Sequence, residues 1–453
     1  MIFENFIRRP EKFRVALLGI GRANCAVLDW LLVAGCSPAA FSESTPHTET
    51  LARLRQSGVP FSAGAFPARI DADVLVRSPA LRPDLPMLTA HRRAGGLVVE
   101  ESAITRALLP CHLIGVTGSD GKTTTAALTA ALLAAAGKRV WLGGNNGVPL
   151  LGRVGEMTAD DVAVMELSSF QLMDAPRAAD TAVITNITPN HLNWHTDMAE
   201  YIAAKRRICD GNSRLITNAA CNHTRALGLA HGRTVFFALD GASVPAGTDA
   251  AFTDGADVVL DVGGSRTCYP CLRDFQLAGK HNRENLLAAI AAASPWLHPA
   301  AVRRALPDFH GVAHRLQYIA TVDGVRYIDS SIDTSPTRTA AALSALACKP
   351  IVIAGGRGKG VSLLPLCKAL RARASAVCLY GETAEEIAAG LCDLPHSCHV
   401  LFADAFAAAV ALAGAGDTVL LSPGCTAFGE FRDFEERGNC FRRLVEALAA
   451  ERK

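Results

Sequence analysis

The chain has 453 residues, half of them hydrophobic and 19% charged, which is enough apolar material for packed cores and excludes disorder as the dominant state. With 45 Lys and Arg against 43 Asp and Glu, the formal net charge is +2, so no global basic field argues for nucleic acid. At roughly 150 residues per domain the length suggests about three domains, and no apolar run reaches the roughly 18 residues that a membrane span needs.

The opening Met1-Ile2-Phe3-Glu4-Asn5-Phe6 lacks the order of a secretory signal, and the fourteen cysteines are scattered. Reduced thiols in a cytoplasmic protein are the expectation. The close pair Cys268-Tyr269-Pro270-Cys271 has no second pair and no nearby paired His to complete a zinc site. Residues 14–18 read as a strand entering Gly19-Ile20-Gly21-Arg22-Ala23-Asn24, with a helix to about residue 34. Residues 112–116 read as a strand entering Thr117-Gly118-Ser119-Asp120-Gly121-Lys122-Thr123-Thr124, with a helix to about residue 136. Residues 161–167 and 183–185 are further apolar strands, the second running into a loop that holds His191 and His195. Residues 201–208 read as a helix carrying Lys205 beside Arg206 and Arg207, and residues 240–273 as a hairpin region, poorly ordered at 241–255. A β-rich start follows at 316–319, and residues 351–354 enter Gly355-Gly356-Arg357-Gly358-Lys359. Three strand–glycine–helix openings this far apart predict an α/β protein of three domains, 1–109, 110–311 and 312–453.

The strongest chemical signal is the stretch from Gly118 to Thr124. Successive backbone N–H groups leading into a helix N-terminus form an anion cradle, Lys122 can reach the β/γ-phosphates, and the Thr123 hydroxyl can ligate Mg²⁺. The strict P-loop pattern has glycine where Val116 stands, so this is a variant. Glu166 ends a strand beside it, where a nucleotide-bound magnesium needs a carboxylate. The turn at Gly19 and Gly21 lacks the third glycine of a dinucleotide site, with Asn24 in its place, which argues against NAD.

Gly118 to Thr124, Glu166-Leu167-Ser168-Ser169-Phe170-Gln171, Asn190-His191-Leu192, Tyr201-Ile202-Ala203-Ala204-Lys205, Gly279-Lys280-His281-Asn282, His314-Arg315 and Glu435-Glu436-Arg437-Gly438-Asn439 occur in the order seen in the Mur ligases. The sequence resembles that family over nearly its whole length. The resemblance implies a Rossmann-like N-terminal domain for UDP, a P-loop ATPase-like central domain with a mostly parallel sheet for ATP, and a Rossmann-like C-terminal domain for the amino acid. The strings at Glu166 and Glu435 match the branch that adds D-glutamate to UDP-N-acetylmuramoyl-L-alanine through an acyl phosphate, in cytoplasmic peptidoglycan precursor synthesis. ATP, two Mg²⁺ sites and a monomer are implied with it.

By the same resemblance, Gly118, Ser119, Asp120, Gly121 and Thr124 cradle the nucleotide and Lys122 holds its γ-phosphate. Thr123 and Glu166 hold one Mg²⁺, His191 the second, and Lys205 is the lysine these enzymes carbamylate. Lys122, His191 and Lys205 are thereby the catalytic set. Asn282 and Asn285 lie on the adenine side, and Arg315 reaches the nucleotide. Gly21, Arg22 and Ser78 face the uridine diphosphate, and Asn145 and Gln171 the lactyl-alanyl end. Thr334 and Lys359 contact the glutamate, with Phe428 and Phe434 as its apolar wall.

The sequence also departs from the pattern. Ser330 stands where the family has an acid, leaving Asp329 or Asp333 for the ribose side. Arg357 replaces a more usual acidic or aromatic residue. Ala427 and Gly429 stand where Ser and Asp are common, with Thr426 as a nearby hydroxyl. These leave two other readings: a related ligase taking L-glutamate or another amino acid, and a nucleotide-binding regulator with weakened catalysis. Retention of Thr123, Glu166, His191 and Lys205 favours the enzyme.

Overall fold

The computed structural model describes residues 2–46, 48–145, 147–174, 177–192, 194–277, 279–358 and 362–452. It forms two compact units, Met1–Phe309 and His310–Lys453. The first unit carries two sheets and the second one, mostly parallel and flanked by helices, which is the α/β class that the strand–glycine–helix spacing predicts.

The smaller sheet of the first unit is wholly parallel, in the order Phe61–Ala63, Ala39–Ser42, Val15–Leu18, Val74–Arg77, Leu97–Val99. Val15–Leu18 is its central strand and is buried throughout, so it reads as an unbroken apolar run rather than an alternation. Asn24, on the following helix Arg22–Val33, is buried. Its amide donates to the carbonyls of Leu18, Gly19 and Val76 at 3.1, 2.7 and 3.3 Å. The residue that breaks the dinucleotide pattern thus ties two strands together.

The larger sheet runs Ser265–Pro270, Asp257–Val262, Asp249–Asp254, Thr234–Ala238, Arg214–Asn218, Thr181–Ile184, His112–Thr117, Val162–Glu166, Val140–Gly144. The last seven strands are mutually parallel, and the first two are added antiparallel. Residues 241–255 therefore differ from the poorly ordered hairpin expected of them. They form a 3-10 turn, Gly241–Ser243, and the whole of the strand Asp249–Asp254. The physical reason is the apolar face that Ala251, Val258, Leu260 and Tyr269 present to the central core. Helices Lys122–Ala135 and Lys280–Ala293 pack against each other there, their runs of alanine suiting a close approach, and Leu128, Leu132, Leu286 and Ile290 are buried in the same core.

The second unit has a sheet in the order Gln317–Val322, Val325–Asp329, Thr418–Gly424, Ile351–Gly355, Ala376–Tyr380, His396–His399, parallel except for its first pair. Arg437, fully buried in the helix Phe434–Glu451, donates to the Tyr380 hydroxyl and to the carbonyls of Ser331 and Cys425. A guanidinium in that position braces the loops at the carboxyl ends of the strands. Among the described residues no helix is long and apolar enough to cross a membrane.

Candidate active site

The candidate site of the first unit lies where its larger sheet changes direction. The chain passes from Val162–Glu166 on one side of His112–Thr117 to Thr181–Ile184 on the other. Such a reversal opens a crevice at the carboxyl ends of parallel strands. The register sets Glu166 beside Val116, at the mouth of the glycine loop.

That loop turns into the helix Lys122–Ala135 through Gly121, whose φ is +79°. A methyl group at 121 would overlap Asn285 Oδ1, so both the left-handed backbone and the close neighbour demand glycine. Asn285 Oδ1 also accepts the Thr125 hydroxyl at 3.2 Å, while its amide nitrogen is 3.4 Å from Asn282 Oδ1. Lys122 Nζ donates to the carbonyls of Gly118 and Ser119 at 3.0 and 2.8 Å, which holds its charge over the loop. The Ser119 hydroxyl donates to the Thr188 carbonyl at 2.9 Å, so the Tyr201 hydroxyl, also at 2.9 Å, serves as donor to Ser119 Oγ.

Lys205 is 1% exposed. Its Nζ donates to the Gly118 carbonyl at 2.7 Å and lies 4.6 Å from the centre of the Tyr201 ring. Burial, and after it the charge of Lys122, holds the amine well below the usual lysine range. An amine so placed is available as a nucleophile, which an ammonium is not. Glu166 is 2% exposed, its Oε1 accepting the Asn145 amide at 2.9 Å. Its Oε2 is buried with no hydrogen-bond partner, an arrangement that is costly unless a cation or donor meets it. Gly144, at φ +98°, brings the Asn145 N–H within 2.8 Å of the Glu166 carbonyl. Asn145 thus holds both ends of Glu166. His191 sits at φ +56°, its ring 5.0 Å from that of Phe170. Partial burial, then the charges of Lys122 and Lys205, lowers its pKa.

The smaller sheet meets this crevice through three arginines. Buried Arg77 pairs with Asp174 at 2.5 Å and donates to the Phe170 carbonyl at 3.1 Å. Arg82 pairs with Glu200 at 3.1 Å and donates to the Trp194 carbonyl. Arg22 reaches the loop beyond Asn145, where a methyl on Gly147 would stand 3.0 Å from its Nη1. Ser78 packs against Gly19, next to Gly21. The first unit therefore gathers Arg22, Asn145, Lys122, Glu166, His191 and Lys205 around one crevice. The Gln171 side-chain Oε1 is taken up at a helix end, where it accepts the Ser168 N–H at 2.9 Å in a capping box. His195, Tyr201 and Ser169 were unassigned in the sequence. Two histidines four residues apart, just before the Asp197 helix cap, were the available signal.

In the second unit, Asp329 is fully buried with Oδ2 2.9 Å from His314 Nδ1, and its Oδ1 accepts the Ser331 N–H at 2.7 Å. Ser330 Oγ accepts the Leu316 N–H at 3.1 Å. Asp333 accepts the Ser422 hydroxyl at 2.8 Å, and burial raises its pKa. The Thr334 N–H donates to the Ile332 carbonyl at 2.8 Å, and Arg315 is exposed. Arg357 and Thr426 exchange backbone hydrogen bonds at 3.1 and 3.0 Å, pinning the glycine loop to the chain beyond Gly424. A cavity of about 610 Å³ opens beside them, with Arg357, Ala427, Gly429 and the 42%-exposed Phe428 among its walls. Phe434 stands edge-on to His314 at 6.0 Å. Lys359 lies outside the described residues.

The family described as Mur ligase middle domain matches residues 116–293, and the one described as Mur ligase, glutamate ligase domain matches 314–425. The UDP-N-acetylmuramoylalanine–D-glutamate ligase of Symbiobacterium thermophilum is 38% identical over 449 residues, covering 96% of this chain and 98% of the relative. Its namesake in Ruminiclostridium cellulolyticum is 34% identical over 98% of this chain and 99% of its own. Among solved structures, the UDP-N-acetylmuramate–alanine ligase of Thermotoga maritima shares the fold, with a TM-score of 0.55 at 19% identity over 96% of this chain and 99% of that one. FolC of E. coli, solved with ADP, has a TM-score of 0.52 at 18% identity over 77% of this chain and 91% of its own.

Proposed function

The chain belongs to the Mur ligase family, and from that premise we propose that it joins D-glutamate to UDP-N-acetylmuramoyl-L-alanine, using ATP, in peptidoglycan precursor synthesis. The observation that carries this reading is identity of more than a third, over nearly the full length of both chains, to a ligase named for that reaction. The crevice in the first unit supports its chemistry.

The loop from Gly118 to Gly121, with Ser119 and Asp120 between them, takes the triphosphate at the N-terminus of the Lys122 helix, with Thr124 in its first turn. The Ser119 and Asp120 N–H groups donate to the Asn186 carbonyl and to its Oδ1, both at 2.9 Å, which fixes the shape of the loop. Lys122 leaves its two carbonyl contacts for the γ-phosphate. The substrate carboxylate attacks the γ-phosphorus, ADP departs and an acyl phosphate forms. The glutamate amine then attacks the acyl carbon, loses its proton and expels phosphate, leaving an amide. Mg²⁺, when bound, supplies the positive charge that lets a carboxylate approach a triphosphate. The residues present fit it: Thr123 offers a hydroxyl, Glu166 its unpartnered Oε2, and His191 an imidazole kept neutral. Among the described residues no three His, Cys, Asp or Glu side chains gather as a metal cluster of their own. In this reading phosphate oxygens and Lys205, as a carbamate, complete the donor set. The neutral Lys205 amine attacks CO₂, an N–C bond forms, a proton leaves, and the neutral amine becomes an anionic oxygen ligand.

Asn282 and Asn285 take the adenine side, and the ADP held by structurally similar FolC supports a nucleotide here. Arg22, with Gly21 and Ser78, takes the uridine diphosphate, while Asn145 and Gln171 serve the lactyl-alanyl end. In the second unit Thr334, Lys359, Phe428 and Phe434 hold glutamate, and Arg315 is that unit's nucleotide-binding residue. Residues 1–109, 110–311 and 312–453 are the three functional divisions of a cytoplasmic monomer. The test is phosphate release with ATP, Mg²⁺ and UDP-N-acetylmuramoyl-L-alanine, comparing D-glutamate, L-glutamate and no amino acid. Release that depends on D-glutamate is expected. Release only with L-glutamate would move the enzyme to another branch of the family, and none with either would end the ligase reading.

A further inference from the structure

One buried side chain outside the assigned set touches three separate parts of the crevice. His195 is 2% exposed, and rings of Phe170, Trp194 and Tyr201 surround it at 5.6, 4.7 and 5.2 Å. Its Nε2 lies 2.8 Å from Ser169 Oγ and its Nδ1 3.0 Å from Glu200 Oε2. Glu200 also accepts the Thr196 N–H at 2.9 Å and pairs with Arg82, which keeps it ionised. An ionised Glu200 takes the Nδ1 proton, so Nε2 presents a lone pair to the Ser169 hydroxyl.

Each contact leads to a different element. Ser169 begins the short helix Ser169–Leu172, three residues beyond Glu166. Glu200 lies on the helix Met198–Arg206, five residues before Lys205. The His195 N–H donates to the His191 carbonyl at 2.9 Å and closes the turn in which His191 is left-handed. We propose that His195 is a positioning residue: its two ring nitrogens and its backbone fix the Glu166 loop, the His191 turn and the Lys205 helix in one register for cation binding. A ring in this position orients ligands without touching the cation, as outer-shell partners of metal sites do. The inference rests on the metal roles given to Glu166, His191 and Lys205 above.

The experiment compares His195→Leu, which removes both ring bonds, His195→Gln, which keeps one donor and one acceptor, and Ser169→Ala. Each is measured for Mn²⁺ binding in the presence of a non-hydrolysable ATP analogue, by electron paramagnetic resonance of the free ion. Steady-state kinetics at varied Mg²⁺ accompany it. His195→Leu is expected to weaken Mn²⁺ binding about 10- to 100-fold and to lower kcat to match, with KM for the UDP substrate near wild type. His195→Gln is expected to recover most of the loss, and Ser169→Ala to fall between. Wild-type Mn²⁺ affinity in the leucine variant would overturn the proposal, as would a glutamine variant no better than leucine. If the leucine variant does not fold, Ser169→Ala decides, because it removes a single hydroxyl; unchanged Mn²⁺ affinity there overturns the proposal. Failure of the wild type to release phosphate with D-glutamate would sink the ligase reaction, while Mn²⁺ binding would still decide the role of His195.

Discussion

Replacing Lys205 with methionine keeps most of the buried volume, removes the amine, and tests the electrostatics on which carbamate formation depends. In the folded chain, burial and the charge of Lys122 hold the amine well below its ordinary value of 10.5. The unfolded chain titrates at that ordinary value. Between the two pKa values the unfolded state binds a proton that the folded state lacks. Stability therefore rises with pH across that window and is lost as pH falls, by up to about 1.4 kcal/mol per pH unit. Above pH 10.5 both states are neutral and the slope vanishes. Methionine binds no proton, so the difference between wild type and variant isolates the lysine. The pH-independent part is small: the variant loses the hydrogen bond to the Gly118 carbonyl, about 1 kcal/mol, while that carbonyl keeps Lys122 at 3.0 Å. Urea melts of metal-free, CO₂-free protein across neutral to alkaline pH provide the assay. The wild-type stability is expected to climb relative to Lys205→Met with the slope given. Parallel curves would mean that the buried amine is protonated, and would remove the physical basis for the carbamate. Bicarbonate should shift the wild type alone and produce a carbamate carbon signal, and the variant should lose most ligase activity.

Gly121→Ala must adopt a left-handed backbone and displace Asn285, at about 1–3 kcal/mol. A lower melting midpoint and weaker ATP binding by calorimetry are expected, and unchanged affinity would show that Gly121 does not set the cradle. Glu101 is a buried carboxyl whose pKa is raised from 4.5 to about 7 by burial and then by its neighbour Glu100. The folded state keeps a proton that the unfolded state gives up, so wild type should lose roughly 3 kcal/mol relative to Glu101→Gln as pH rises from 4.5 to 7. A stability difference that stays flat across that range would refute the assignment. Asn24→Gly restores the dinucleotide glycine but removes three hydrogen bonds, which predicts a loss of about 2–4 kcal/mol. Fluorescence titration should detect no NADH binding to it.

What could be read in advance, and what could not, follows from where each constraint acts. The phosphate loop is legible because its demands are local: a left-handed turn, a helix start and a lysine all fall within a few consecutive residues. Glu166 is half legible. Its strand shows in the apolar run from Val162, but its meaning depends on the register that pairs it with Val116 across the sheet. Lys205 stands in a basic run with Arg206 and Arg207, and such a run by itself describes a solvated face. Only the packing of its helix turns this one amine inward beneath Gly118. The acid question at Ser330 is of the same kind. Asp329 and Asp333 are both buried, and their partners, His314 and Ser422, come from 15 and 89 residues away. His195 makes the point most sharply: a histidine in a loop is chemically silent until Ser169 and Glu200, brought from two other elements, fix which of its nitrogens carries the proton. Spacing along the chain therefore locates the groups that meet the ligand, whereas the groups that hold them there become visible only when separate strands and helices are packed.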